Sequence, residues 1–246
     1  MRTVAAVLSL LPLLCCQTPP AAPKPQTTAK PAQRDAEAVT PAQTAAIAAL
    51  RARFERERDL TAAAVLTDPH NRDLHDKKPF RELLAAHAAA APLPLVDKDE
   101  AGTPLAVHGR VLDAQGKPAA GVLVYAYHTD ARGFYGYDRA HVGGNEGDRR
   151  HARLFGYVRT DGRGAFELRT IRPASYPDSE LPQHIHVEIS GAGGAALATE
   201  MMFDDDPKLS QAQRESAKKS GFQVVSVDTG KDGVGRCGPV FTLPAR

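Results

Sequence analysis

Two histidines separated by one residue stand in an otherwise largely apolar run, Pro182-Gln183-His184-Ile185-His186-Val187-Glu188-Ile189. Read as a β-strand, the run sends alternate side chains to opposite faces: Ile185, Val187 and Ile189 to a core, His184 and His186 together to the other wall. Two neutral imidazoles on one wall suit a shared iron, zinc or copper ion. The spacing alone also fits two half-exposed strand histidines, so the surrounding sequence must decide.

That sequence supplies phenols at two further positions. Thr129-Asp130-Ala131-Arg132-Gly133-Phe134-Tyr135 is a turn ending in Gly-x-Tyr, and Thr170-Ile171-Arg172-Pro173-Ala174-Ser175-Tyr176-Pro177 leads toward the histidine pair. They follow Val107-His108-Gly109-Arg110-Val111-Leu112-Asp113-Ala114-Gln115-Gly116-Lys117-Pro118, the run Val122 to Tyr127, and then Thr160-Asp161-Gly162-Arg163-Gly164-Ala165-Phe166 is interposed. With these motifs in this order, residues 104 to about 205 resemble the intradiol ring-cleavage dioxygenases, the family of catechol and protocatechuate dioxygenases. The resemblance implies a ferric ion, Fe(III), held by Tyr135, Tyr176, His184 and His186, which are then both the metal ligands and the catalytic residues. It implies a catechol-like aromatic and O2 as substrates. The catechol would chelate the iron through both oxygens in place of hydroxide and Tyr176, and the ring would open between the hydroxylated carbons to a muconic acid. Tyrosinate is a hard anionic donor that favours ferric iron, and a bound cation lowers a phenol pKa from about 10 so that it ionises.

Other side chains of the same types read differently. Tyr137 lies two positions beyond Tyr135 and outside the Gly-x-Tyr pattern; Tyr125 and Tyr127 belong to a β-rich run and read as sheet packing. His108 and His128 read as exposed or hydrogen-bonded strand histidines. His70, His75, His87, His141 and His151 lack ligand spacing, and Cys237 in Gly-Arg-Cys-Gly reads as a loop thiol. Three features depart from the family pattern. Leu181 stands where the resemblance implies an arginine, whose charge would stabilise the ring as oxygen attacks; Arg172 or Arg169 is a candidate replacement. Glu200 falls at about the place of a glutamine. Only eight residues separate Tyr176 from His184 (184 minus 176), so the loop over the metal is short. Two other classes of function fit parts of the pattern. One is a non-catalytic, transthyretin-like or carboxypeptidase-regulatory-like sandwich that needs no metal ligands. The other is a zinc or ferrous site built from His184, His186 and Glu188 or Glu200.

The elements that must position these residues are short apolar runs punctuated by Gly, Asp and Pro, the texture of an antiparallel β-sandwich. The clearest strands are Leu105 to Leu112, Val122 to Tyr127, Ala165 to Ile171, His184 to Ile189 and Phe222 to Val227, with turns at Asp113 to Gly116 and Asp161 to Gly164. The expected fold is mainly β, an antiparallel sandwich over 104–246 preceded by a short helical segment over 40–95. Thr40-Pro41-Ala42-Gln43 has a cap, a proline at the first helical position and a glutamine three residues after the cap, and so opens a helix carrying Ile47, Leu50 and Phe54. A second helix is expected from Pro79, with Phe80, Leu83, Leu84 and His87 on one face. If unpaired, Leu50, Phe54 and Phe80 would leave an apolar stripe wet, which points to a homodimer through these helices.

Ahead of the helices, Arg2 and the apolar run Val4 to Leu14 read as an export signal over 1–16, too short for a permanent span. Cys15 and Cys16 end that run and are candidate lipid-anchor positions, against a simple secretory signal. Residues 17–39, rich in Pro, Ala, Thr and Gln, read as a disordered tether. These features predict a periplasmic or cell-surface protein. The chain has 246 residues, with 31 basic against 29 acidic, and shows no basic cluster flanked by aromatics. Nucleic acid is therefore not an expected partner. Three cysteines, two of them in the signal, exclude a disulfide-stapled fold.

Overall fold

A computed structural model describes residues 38–136, 152–191 and 194–245. The expected export signal, most of the tether, Tyr137, His141 and His151 lie outside the described residues. Helix α1, Pro41–Arg56, starts where the sequence places it. Thr40 Oγ1 accepts the Gln43 N–H at 3.2 Å, and Gln43 Oε1 accepts the Thr40 N–H at 3.0 Å. The chain then makes two elements the sequence reading lacked. They are a short helix α2, Ala62–Thr67, capped by Thr61, and a 3-10 turn, Pro69–Leu74, capped by Asp68. Helix α3, Lys78–Ala86, begins one residue ahead of Pro79.

The helices cover one sheet of this same chain. Ile47, Leu50, Val65, Leu66, Phe80, Leu83 and Leu84 form one buried cluster with Tyr127 and Phe155, and the partly buried Phe54 packs against it. Burying a Leu or Phe side chain contributes about 1.5–3 kcal/mol, so this layer is fixed strongly. Because the stripe is covered within the chain, the argument for a helix-mediated homodimer loses its premise.

Two sheets and one further helix, α4 (Gln211–Ser220), make up the rest. The first runs in the order β1 (Leu93–Pro94), β5 (Ala165–Ile171), β2 (Pro104–Leu112), β10 (Gly235–Cys237), β9 (Asp228–Thr229), with β11 (Val240–Thr242) also paired to β2. The second runs β4 (Leu154–Arg159), β3 (Leu123–His128), β6 (His184–Ser190), β7 (Ala196–Phe203), β8 (Gln223–Val225). Leu105, Val107, Val111, Phe166 and Leu168 of the first meet Val124, Ile185, Val187, Ile189 and Met201 of the second in one core. Gly109 is required there: a Cβ would come within 2.1 Å of the Phe166 ring.

The long central pairs are antiparallel, as expected, namely β2 with β5, β3 with β4 and β6, and β6 with β7. The sheets as a whole are mixed. β1 on β5, β10 and β11 on β2, and β8 on β7 are parallel. These short strands arrive from distant parts of the chain, so no tight hairpin imposes the opposite direction on them. Cys237 is likewise not a loop thiol: it ends β10 inside the core, and burial pushes its pKa up to about 12.

Candidate metal centre

Strand β6 does what its alternation predicts. Ile185, Val187 and Ile189 enter the core, while His184 and His186 face the other way, yet they are also buried because the two tyrosine-bearing loops close over them. Tyr176 Oη lies 2.9 Å from His184 Nε2, Tyr135 Oη lies 2.8 Å from His186 Nε2, and the two hydroxyls are 2.6 Å apart. The four residues expected from the motifs are thus brought into one continuous cluster. The imidazole planes are nearly perpendicular, with ring centres 4.7 Å apart. Each ring has an acceptor at its far nitrogen. His184 Nδ1 lies 2.8 Å from the Pro182 carbonyl, and His186 Nδ1 lies 3.4 Å from a Glu200 carboxylate oxygen. An acceptor at Nδ1 draws the proton there and leaves the Nε2 lone pair toward the phenols.

Tyr127, read from sequence as sheet packing, also walls the site. It is the register partner of His186 on β3, and its ring stacks on the imidazole at 4.6 Å. Tyr125 does pack as expected, stacked on Tyr157 at 4.6 Å with its hydroxyl accepting from Arg81 at 3.1 Å.

The two tyrosine loops are tied together by Asp130. Its Oδ1 accepts the N–H groups of Arg132 at 2.8 Å and Phe134 at 3.0 Å, shaping the turn that ends in Tyr135. Its backbone carbonyl accepts the Ala174 N–H at 3.1 Å, and Thr129 Oγ1 donates to the Ala174 carbonyl at 2.7 Å, which holds the Tyr176 loop. Arg153 bridges Asp130 at 3.2 Å and Glu100 at 2.6 Å, and its N–H donates to the Tyr135 carbonyl at 2.8 Å. Burial alone would raise the Asp130 pKa, but hydrogen bonds from Phe134 and Arg132 outweigh it and hold the carboxyl below its ordinary value. Glu100 and Arg153 had no signal in the sequence, since they lie far from the motifs.

Gly133 allows the loops to meet. It has φ +84°, and a Cβ there would stand 2.2 Å from the Ser175 carbonyl oxygen. Gly133→Ala is expected to cost about 2–3 kcal/mol, from left-handed strain plus that backbone clash. Denaturant unfolding of the variant checks this, and a cost under about 0.5 kcal/mol would mean that the loops separate freely.

The donor set fits an iron ion. Burial, followed by the adjacent Tyr176 hydroxyl, pushes the Tyr135 phenol far above its ordinary value, so it stays protonated unless a cation joins the cluster. Two phenols and two imidazole lone pairs, desolvated together, are hard and intermediate donors of the kind iron takes. Glu200 meets His186 from the ring edge opposite Tyr135. His184, His186 and Glu200 also have ligand atoms within 4.8 Å of one another, while Glu188 lies farther along the strand and is exposed.

Among the described residues, the remaining histidines divide as read. His128 is wholly buried, with Nδ1 2.7 Å from the Thr129 carbonyl and Nε2 2.6 Å from Thr170 Oγ1; His108 is half exposed on β2. His87 stacks on Phe54 and His75 on Phe80. Neither candidate replacement for the missing arginine reaches the centre. Arg172 spends its donors on Gln183 and Asp205, and Arg169 pairs with Glu167. Leu181 is 52% exposed on the surface.

A family model described as dioxygenase matches residues 79–237, starting in α3 rather than at residue 104. Over 164 residues the chain is 28% identical to catechol 1,2-dioxygenase 1 of Acinetobacter lwoffii, covering 56% of this chain and 51% of that protein. Over 149 residues it is 32% identical to the protocatechuate 3,4-dioxygenase beta chain of Burkholderia cepacia, covering 54% and 60%. The chain thus spans between half and three-fifths of these relatives. Among solved structures, the dioxygenase domain of a dioxygenase and carbohydrate-binding fusion from Streptomyces sp. SirexAA-E superposes with a TM-score of 0.49 at 24% identity. That superposition covers 65% of this chain and 90% of that one.

Proposed function

The chain belongs to the intradiol ring-cleavage dioxygenase family, and we propose that Tyr135, Tyr176, His184 and His186 hold one ferric ion at which a catechol-type ring is cleaved between its hydroxylated carbons. The observation that carries this reading is the buried Nε2–Oη–Oη–Nε2 chain, with every link between 2.6 and 2.9 Å. A ferric ion, when bound, supplies the Lewis acidity that draws electron density from a chelated catechol, so that both atoms of O2 end in the product. The protein's residues supply the rest. Tyr176, between Tyr135 and His184, is the side chain placed to take a proton from an incoming substrate hydroxyl. Tyr127 and the perpendicular histidine rings keep the cluster rigid, and burial excludes bulk water.

The catalytically silent sandwich reading has no use for four desolvated metal donors and is disfavoured by them. The His–His–Glu reading leaves both tyrosines without a role. Which catechol is taken is set by loops that the family likeness does not specify. The apolar run after Arg2 supports export to the periplasm or cell surface, with lipidation at Cys15 or Cys16, as a further part of this proposal.

The test is the visible spectrum of the iron-loaded protein, before and after adding catechol without oxygen. A red-brown tyrosinate band that shifts on adding catechol is the expected result. A colourless iron-loaded protein would overturn the assignment.

A further inference from the structure

Glu200 is part of the centre that the four-ligand reading leaves without a task. On β7 it is the register partner of His186 on β6, so strand pairing itself brings the two side chains together. Its carboxylate oxygen stands 3.4 Å from His186 Nδ1, and its side chain is only 23% exposed. The other nitrogen of that ring faces Tyr135 at 2.8 Å. Tyr127 stacks on the ring's face at 4.6 Å. Of these contacts with described residues, that of Glu200 carries a full charge.

Resting on the ligand assignment above, we infer that Glu200 is a positioning residue for iron. Its carboxylate faces the Nδ1–H of His186 as an acceptor, fixes the ring's tautomer and orientation, and through its charge makes Nε2 a stronger donor. Carboxylates behind metal-bound imidazoles act in this way, and losing one typically lowers metal affinity by about 10–100-fold. His184 is an internal contrast, because its Nδ1 meets only the neutral Pro182 carbonyl, at 2.8 Å. The two histidines are thus unequal ligands, one backed by a peptide dipole and the other by an anion.

The experiment uses the full chain loaded with iron and compares the parent with Glu200→Gln and Glu200→Ala. Two quantities are read: iron retention against a competing chelator, and the position of the tyrosinate band. Glu200→Ala is expected to lose about 10–100-fold in retention while keeping the band, moved to longer wavelength because iron becomes more electron-poor. Glu200→Gln still offers an oxygen to the Nδ1 proton without a charge. It is expected to recover most of the retention and to keep the shifted band.

Retention and band unchanged in both variants would make Glu200 a mere strand residue and overturn the inference. A Gln variant as poor as the Ala variant, with iron lost from both, would make Glu200 a direct ligand and also overturn it. Circular dichroism of both variants separates loss of iron from loss of fold, and Glu200→Asp serves if the alanine variant unfolds. A parent protein with no band fails at an earlier step and overturns the ligand assignment together with this inference.

Discussion

A Tyr135→Phe, Tyr176→Phe double variant is expected to remain folded yet to lose roughly 100-fold or more in iron retention, since deleting a ligand should exceed the 10–100-fold cost of deleting a residue behind one. The visible band should vanish with it. The fold should survive because both rings remain to fill their sites. Removing both phenols deletes the hydroxyl–hydroxyl bond from both sides, but it also takes a hydroxyl from His184 Nε2 and from His186 Nε2, which sets the stability cost at about 1–3 kcal/mol for each imidazole. The histidines would then face phenyl rings, leaving a two-imidazole site suited to zinc better than to ferric iron. Chelator competition and a thermal melt on the same sample check both halves. Full retention of iron by the double variant would show that the metal sits elsewhere.

The second large effect is on stability in mild acid. His75 and His128 are buried, and desolvation lowers each from 6.5 to about 4; for both, a carbonyl contact opposes this and a nearby arginine assists it. A depressed histidine pKa means that the unfolded chain binds the proton first. The contribution of these neutral histidines to stability is therefore intact above about pH 6.5, shrinks as pH drops, and is fully lost only below about 4. At about 1.4 kcal/mol per pH unit, the gap from 6.5 to 4 is worth on the order of 3 kcal/mol for each histidine. For His128 the reason is specific: neutral Nε2 accepts from Thr170 Oγ1, and a protonated ring would turn that acceptor into a donor. Denaturant midpoints between pH 7 and 5, where ordinary carboxylates stay ionised, isolate the histidine contribution. His75→Gln and His128→Gln should each flatten the slope. A parent midpoint that does not move across that range would contradict neutral, buried histidines.

The centre was legible in sequence to the extent that its geometry is local. A period of two over His184 to Ile189 places both imidazoles on one face whatever the sheet does with them, and Gly133-Phe134-Tyr135 records a left-handed turn that few other residues would make. Tyr127 was assigned to packing because a β-run tyrosine carries no mark of what lies beside it. That information is in the strand register, which puts it next to His186. The Asp130, Arg153 and Glu100 network was silent for a related reason. Ion pairs between residues distant in sequence leave no periodicity, and any charged residue between motifs looks like a solvated one. The edge strands β1, β10 and β11 and the short helices at 62–74 were lost because two- and three-residue strands and six-residue helices are below the length at which hydrophobic period is readable, whereas β8 fell within the expected strand Phe222 to Val227. The dimer expectation lost its premise on geometry: a stripe on a helix does not say whether its cover comes from another chain or from the sheet a hundred residues on.

The parallel pairings of β10 and β11 bear on how the chain comes to be folded at all. Gly235 pairs with Leu105 and Val240 with Arg110, so β2 keeps one bare edge until residues 235–242 have been synthesised. Phe241 then seals the core, its ring 6.4 Å from that of Phe166. Contacts of such long sequence separation form slowly, because the loop between them must close before any bond rewards it. During that interval an unpaired strand flanked by an open apolar wall is a template for association with other chains. An unfinished or C-terminally clipped chain would thus be adhesive well before it lacked any metal ligand.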